Sequence, residues 1–182
     1  TKSPRARTSC ENKNPDCDGQ STSGGVPIMV QVTIETTGTM LLGTEISAAA
    51  AALSRYPIMS LGLNCATGPA EMAEHVHWLG RNWPRSISVL PNAGLPELVD
   101  GKTEYPLGPD LFAEAMVKFV QRDGVNIVGG CCGTDPHHIA KLVEAVGQHP
   151  PHRADKTTPR SACTSLYSTT DFRQETTILN IG

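Results

Sequence analysis

Four short apolar runs, each followed by a longer stretch of helical character, constrain this chain more than any other feature of its sequence. The runs are VPIMVQVTI (26–34), IMSLGLNC (58–65), SISVLPNA (86–93) and VNIVGGCC (125–132). They are continuous enough in apolar residues to suit strands buried on both faces. The stretches that follow are TEISAAAAALSRY, PAEMAEHVHWLGRN, PDLFAEAMVKFVQRDG and PHHIAKLVEAVGQH. Three of them carry proline where the first helical residue should be: Pro69, Pro109 and Pro136. Proline suits that position because the N–H it lacks would be unpaired there anyway, and Asp135 is a good N-cap before Pro136. In the third stretch Leu111, Ala115, Phe119 and Val120 fall on one helical face, which predicts that this face is buried. The alanine run 48–52 reads as a strong helix former packed closely on the sheet. Four consecutive βα units predict a parallel sheet covered by helices. Eight such units close a barrel of about 250 residues, and the repeating part here has about half that length. The expected fold class is therefore α/β, half of a (β/α)8 TIM-type barrel. A doubly wound open sheet is the alternative, although no run supplies a complete GxGxxG fingerprint or a P-loop.

The flanks differ in composition. Residues 1–25 carry Pro, Gly, Ser, Thr, Asn and Asp with almost no large apolar residue, and read as a disordered leader. Residues 150–182 read as a linker ending in the short apolar run TILNIG. The domain lies between them, at 26–149. A net charge of -3 and 4% aromatic residues offer neither the basic stripe nor the stacking platform of a nucleic-acid binder. No apolar run approaches the roughly 20 residues that span a bilayer, so no membrane contact is expected and the chain reads as cytoplasmic. Six cysteines in 182 residues are too few and too uneven for a secreted disulfide scaffold. In a reducing compartment, clustered cysteines point to metal or catalysis.

In parallel α/β folds, functional groups gather at the carboxyl ends of the strands. Cys65 closes the second run, and Cys131 and Cys132 close the fourth, so all three thiols are expected at one rim. Adjacent side chains on a regular strand point to opposite faces, so Cys131 and Cys132 can share an ion only where the strand breaks. Gly129, Gly130 and Gly133 provide that freedom. Three thiolates around Zn²⁺ leave a fourth tetrahedral position open, the mark of a catalytic site. A thiol entering that position would be deprotonated outright, and three anionic ligands would leave its sulfur electron-rich. That combination suits alkyl transfer to sulfur.

Other residues near the rim have plainer readings. Buried cysteines often act as small hydrophobes, but the joint placement of these three favours ligands. A vicinal Cys131–Cys132 disulfide would be strained. Asn92, with Gly94 beside it, either binds the substrate's amino-acid head or approaches the metal, or else forms a turn. Glu35 reads as a solvated loop carboxylate. His137 and His138 read as first-turn helical residues, and His75 and His77 lack the i, i+4 spacing of a metal pair. Cys10, Cys17 and Cys163 lie in polar flanks and receive no role.

The motifs GLNCATGPAEM (62–72), SVLPNAGLP (88–96) and GGCCGT (129–134) resemble those of the homocysteine S-methyltransferase family. The run from about 26 to 146, with LYSTTDFRQETTILNIG beyond it, is most similar to cobalamin-dependent members. It resembles the C-terminal half of their homocysteine-binding barrel and the junction to a folate-binding domain. The stretch up to about residue 25 lies outside this resemblance. The resemblance implies Cys65, Cys131 and Cys132 as zinc ligands and homocysteine as the thiol. It also implies a methyl group drawn from methyltetrahydrofolate through methylcobalamin, in methionine biosynthesis. The reading from another class is a non-catalytic zinc-binding or assembly module. Its exposed sheet edges would pair with a second copy or a complementary half barrel.

Overall fold

The computed structural model describes residues 26–147, 149 and 162–172. The leader and most of the stretch read as a linker, TILNIG included, lie outside the described residues. The elements in chain order are β1 (Met29–Val32), α1 (Ile46–Leu53), β2 (Ser60–Asn64), α2 (Pro69–Asn82) and β3 (Ser86–Leu90). There follow β4 (Glu97–Val99), β5 (Lys102–Glu104), α3 (Pro109–Asp123), β6 (Ile127–Val128), α4 (Pro136–Val146), β7 (Ala162–Thr164) and β8 (Thr169–Asp171). The four predicted βα units are all present. Their strands form one parallel sheet in the order β1-β2-β3-β6, the arrangement of part of a TIM barrel. Each strand is shorter than the apolar run that predicted it. In the second and fourth runs, the last residues bend into loops that carry the cysteines.

The two middle strands are buried on both faces, as expected, but the two faces are unlike in chemistry. Val32, Leu61, Leu63, Ile87 and Val89 join Met72, Val76, Leu79, Phe112 and Met116 in the core. On the opposite face the register aligns Gln31, Gly62 and Ser88 in one row. There the Gln31 side-chain amide donates to Ser88 Oγ at 2.7 Å. A Cβ at Gly62 would overlap Ser88, so glycine is what lets this polar bridge cross the middle strand.

Local chemistry sets the helices. In α2, Met72, Val76 and Leu79 follow the i, i+4, i+7 spacing and are buried, and the Glu71 carboxylate accepts from the Gly68 N–H at 3.1 Å. In α3 the buried stripe is Phe112, Met116, Phe119, Val120 and Asp123, ending at Gly124 with φ 68°. The predicted face holds in part: Phe119 and Val120 are buried, but Leu111 is 62% exposed and Ala115 only half-buried. Each residue advances about 100° around a helix, so burying Phe112 against the core turns Leu111 outward. Within the alanine run of α1, Ala48 and Ala50 are buried. No helix among the described residues is long and apolar enough to cross a membrane.

Two hairpins add to this frame. β4 and β5 pair antiparallel between β3 and α3, joined by Asp100 and Gly101, both at positive φ. That is the Asp-Gly chemistry of a two-residue hairpin turn. β7 and β8 form a second hairpin within the stretch read as a linker. It is tied to the start of α1, because the Glu45 N–H donates to the Tyr167 carbonyl at 2.8 Å and the Tyr167 ring lies against Gly43.

Candidate metal centre

The parallel sheet delivers three loops to one rim. Cys65 follows β2, Asn92 follows β3, and Cys131 and Cys132 follow β6. Their sulfurs converge. Cys65 Sγ lies 3.7 Å from Cys132 Sγ, Cys132 Sγ lies 3.9 Å from Cys131 Sγ, and all three fall within 4.8 Å of one another. Sulfurs bound tetrahedrally to zinc at about 2.3 Å would be about 3.8 Å apart. Two of the three separations already match that edge length, and the donor set is all thiol. The arrangement therefore suits a soft or borderline cation, and Cys132 is exposed while Cys65 and Cys131 are half-buried.

Backbone geometry produces this convergence. Cys65 and Ala66 have φ of 60° and 59°, consecutive left-handed residues that side chains disfavour. The turn is closed by the Thr67 N–H donating to the Cys65 carbonyl at 2.7 Å. On the other side the Cys131 carbonyl accepts from the Thr134 N–H at 3.3 Å and from the Thr134 hydroxyl at 2.7 Å. Gly133, at φ 76°, occupies the third position of this turn, where type II geometry requires positive φ. Of the three glycines expected to loosen the strand end, Gly133 alone uses a conformation reserved to glycine. Gly130 allows close approach instead, since a Cβ there would overlap the Thr134 side chain.

Asn92 is buried and holds the loops together. Its side-chain carbonyl accepts from the Cys132 N–H at 3.1 Å, its own N–H donates to the Thr67 carbonyl at 3.0 Å, and its side chain also reaches Cys65. The Ala93 N–H donates to the Cys132 carbonyl at 2.9 Å. Gly94, at φ 91°, packs against Pro106 and Leu107 rather than facing the sulfurs directly.

The electrostatics of the three thiols differ. The Ala66 backbone N–H, helped by Cys131, Cys132 and Asn92, outweighs burial and holds Cys65 below the ordinary thiol value. Burial, followed by the two neighbouring thiols, pushes Cys131 up to about 11. Left without a cation, such a cluster resists carrying several negative charges at once. A divalent ion would remove that conflict.

The histidines stand apart, as the sequence suggested. His138 is buried; its Nε2 bonds the Leu107 carbonyl at 2.9 Å, its Nδ1 lies 2.8 Å from Asp135 Oδ1, and its ring meets Phe112 edge-on. The N-cap Asp135 carboxyl is held down at about 2, first by the His138 N–H and then by its ring. His77 Nδ1 bonds the buried Asp123 carboxylate at 2.8 Å. His137 and Cys163 are exposed, and Glu35 is half-buried with its N–H donating to the Thr39 carbonyl. A shallow groove of about 370 Å³ lined by Pro109, Asp110 and Lys141 contains none of the thiols. Tyr105 was not singled out from sequence, yet it stands at the rim: desolvation and then its contact with Cys132 push its phenol upward. Its hint in the sequence was indirect, in the Asp-Gly hairpin that carries it.

Comparison with known proteins agrees with this geometry. The family profile described as Homocysteine S-methyltransferase matches residues 8–146, which begins inside the stretch read as a leader. The chain is 47% identical over 165 residues to methionine synthase from Mycobacterium leprae (strain TN), covering 86% of this chain. It is 48% identical over 158 residues to methionine synthase from Mycobacterium tuberculosis (strain ATCC 25618 / H37Rv), again covering 86% of this chain. The chain spans 13% of the length of each relative. Three thiols gathered at the carboxyl rim of a parallel sheet, within a profile match that spans most of the sequence, place the chain in the homocysteine S-methyltransferase family.

Proposed function

We propose that this chain carries the zinc-binding part of a homocysteine S-methyltransferase active site, with Cys65, Cys131 and Cys132 as the ligands. The observation that carries the reading is the sulfur triangle, whose separations of 3.7 Å and 3.9 Å suit a tetrahedral zinc face. When bound, the metal supplies the Lewis acidity that holds an incoming thiol as thiolate at neutral pH. The residues of the chain do the rest. Asn92 clamps the Cys65 and Cys132 loops in one arrangement, and the strained Cys65–Ala66 turn aims the Ala66 N–H at sulfur. The substrate is homocysteine and the reaction is methyl transfer to sulfur. A sulfur–carbon bond forms as the donor's bond to the methyl group breaks, and the thiol proton passes to solvent. Likeness to methionine synthases supports a methyl group that arrives through methylcobalamin in methionine formation, within a longer protein.

Zinc content tests the reading. Purified under reducing conditions, the chain should hold one zinc, and Cys65→Ala should lose it. Homocysteine added to the zinc-loaded chain should bind and release a proton. A chain that takes up no zinc while all of its thiols are free would overturn the proposal.

A further inference from the structure

The segment that brings Tyr105 to the rim is anchored from both sides. The Leu107 N–H donates to the Ala93 carbonyl at 2.9 Å, and the Leu107 carbonyl is bonded by His138 Nε2 at 2.9 Å. Gly94 leaves room for Pro106 and Leu107, where a Cβ would stand 3.2 Å from Leu107 Cβ. Two residues earlier in the chain than Leu107, Tyr105 packs against Gly133, so closely that a Cβ there would overlap its Cβ and the near ring atoms. Gly133 follows Cys132 directly, so the side chain packed on Gly133 stands beside that ligand, and the Tyr105 phenol interacts electrostatically with Cys132. Cys132 is the most exposed of the three thiols and the one closest to both others. It already accepts order from one side, where its N–H meets Asn92.

We propose that Tyr105 is a positioning residue of the metal centre, whose phenol O–H donates a hydrogen bond to the Cys132 sulfur and fixes that ligand from its solvent side. This deepens the zinc reading and rests on it. A thiolate that accepts a hydrogen bond carries less charge toward the metal, and outer-shell partners of this kind orient ligands and tune the ion. Asn92 and Tyr105 then grip the two faces of the Cys132 residue, one through its backbone and one through its sulfur. The β4–β5 hairpin acquires a purpose, since it and the clamped 105–107 segment set the ring in place.

Cobalt makes this measurable, because cobalt–thiolate centres absorb where zinc is silent. The unchanged chain loaded with Co²⁺ should show a sulfur-to-cobalt charge-transfer band and the visible bands of a tetrahedral ion. Tyr105→Phe keeps the ring on Gly133 and removes the donor alone. Its charge-transfer band should move to longer wavelength, with metal affinity lowered about 10-fold, the lower end for an outer-shell partner. A role confined to packing would move neither. In the unchanged chain, zinc loading should also perturb the tyrosine ultraviolet band, a reading that does not depend on how the variant folds. Identical charge-transfer bands with no tyrosine perturbation would overturn this inference and leave the zinc site standing. No charge-transfer band in the unchanged chain would overturn both.

Discussion

Ala66 shows how much a single backbone position contributes to the site. It holds φ 59° beside Cys65 at 60°, a pair that costs on the order of 1–2 kcal/mol per residue for side chains other than glycine. Ala66→Gly should therefore stabilise the metal-free chain by roughly 0.5–1 kcal/mol, after part of the relief is offset by the freer unfolded chain. Urea unfolding monitored by circular dichroism reads this directly. An equal or lower midpoint would mean that the turn is not strained. The thiols make a second prediction. Cys131, pushed up to about 11, keeps its proton at neutral pH, so metal must displace that proton to bind. Zinc added at pH 7 should acidify a weakly buffered solution by at least one proton per ion. Apparent zinc affinity should fall as pH falls, because protons compete for the same sulfurs. None of this was readable from residue types, which indicated where the thiols would gather but not the left-handed turn that aims them.

Helix α3 illustrates the element scale. Its last residue, Asp123, has a fully buried carboxylate that accepts from His77 Nδ1 of α2 at 2.8 Å and from Arg122 Nη2 at 3.0 Å. A lost partner in a fully buried pair costs 3–5 kcal/mol. His77 and Arg122 are each about half exposed and would be rehydrated. Asp123→Ala should therefore cost about 2 kcal/mol, below that range, read as a lower denaturation midpoint with the β4–β5 hairpin unaffected. A cost near zero would show that the α2–α3 link is idle. The helices themselves were legible: Pro69, Pro109 and Pro136 open α2, α3 and α4 as expected. The buried face of α3 was legible only in part: Phe119 and Val120 are buried as expected, but Leu111 and Phe112 are both apolar and only packing decides which one turns inward. The β4–β5 hairpin carried its own signal in Asp100-Gly101, which the βα rhythm around it obscured.

At the scale of the whole molecule, the sheet has two ends. Among the described residues β1 and β6 each have one neighbouring strand, and apolar side chains stand exposed beside β1 at Val26, Ile28 and Met29. Another exposed set, Leu111, Ile139 and Val143, lies on α3 and α4. Parallel sheets are ordinarily covered on both faces and at their edges. The chain should therefore associate as concentration rises, with a sedimentation mass above that of one copy. A single mass at every concentration would mean that the edges are otherwise protected.

The sequence alone determined the order of the βα units, the parallel sheet and the rim at which Cys65, Cys131 and Cys132 would meet. Those follow from local periodicity, from proline at helix starts and from the rule that loops after parallel strands share one end. The tertiary structure decided how close the sulfurs come, the positive φ of Cys65 and Ala66, the clamp made by Asn92 and the arrival of Tyr105 against Gly133. These depend on contacts between residues far apart in the chain. Spacing along the sequence carries no record of the distances across which such contacts close.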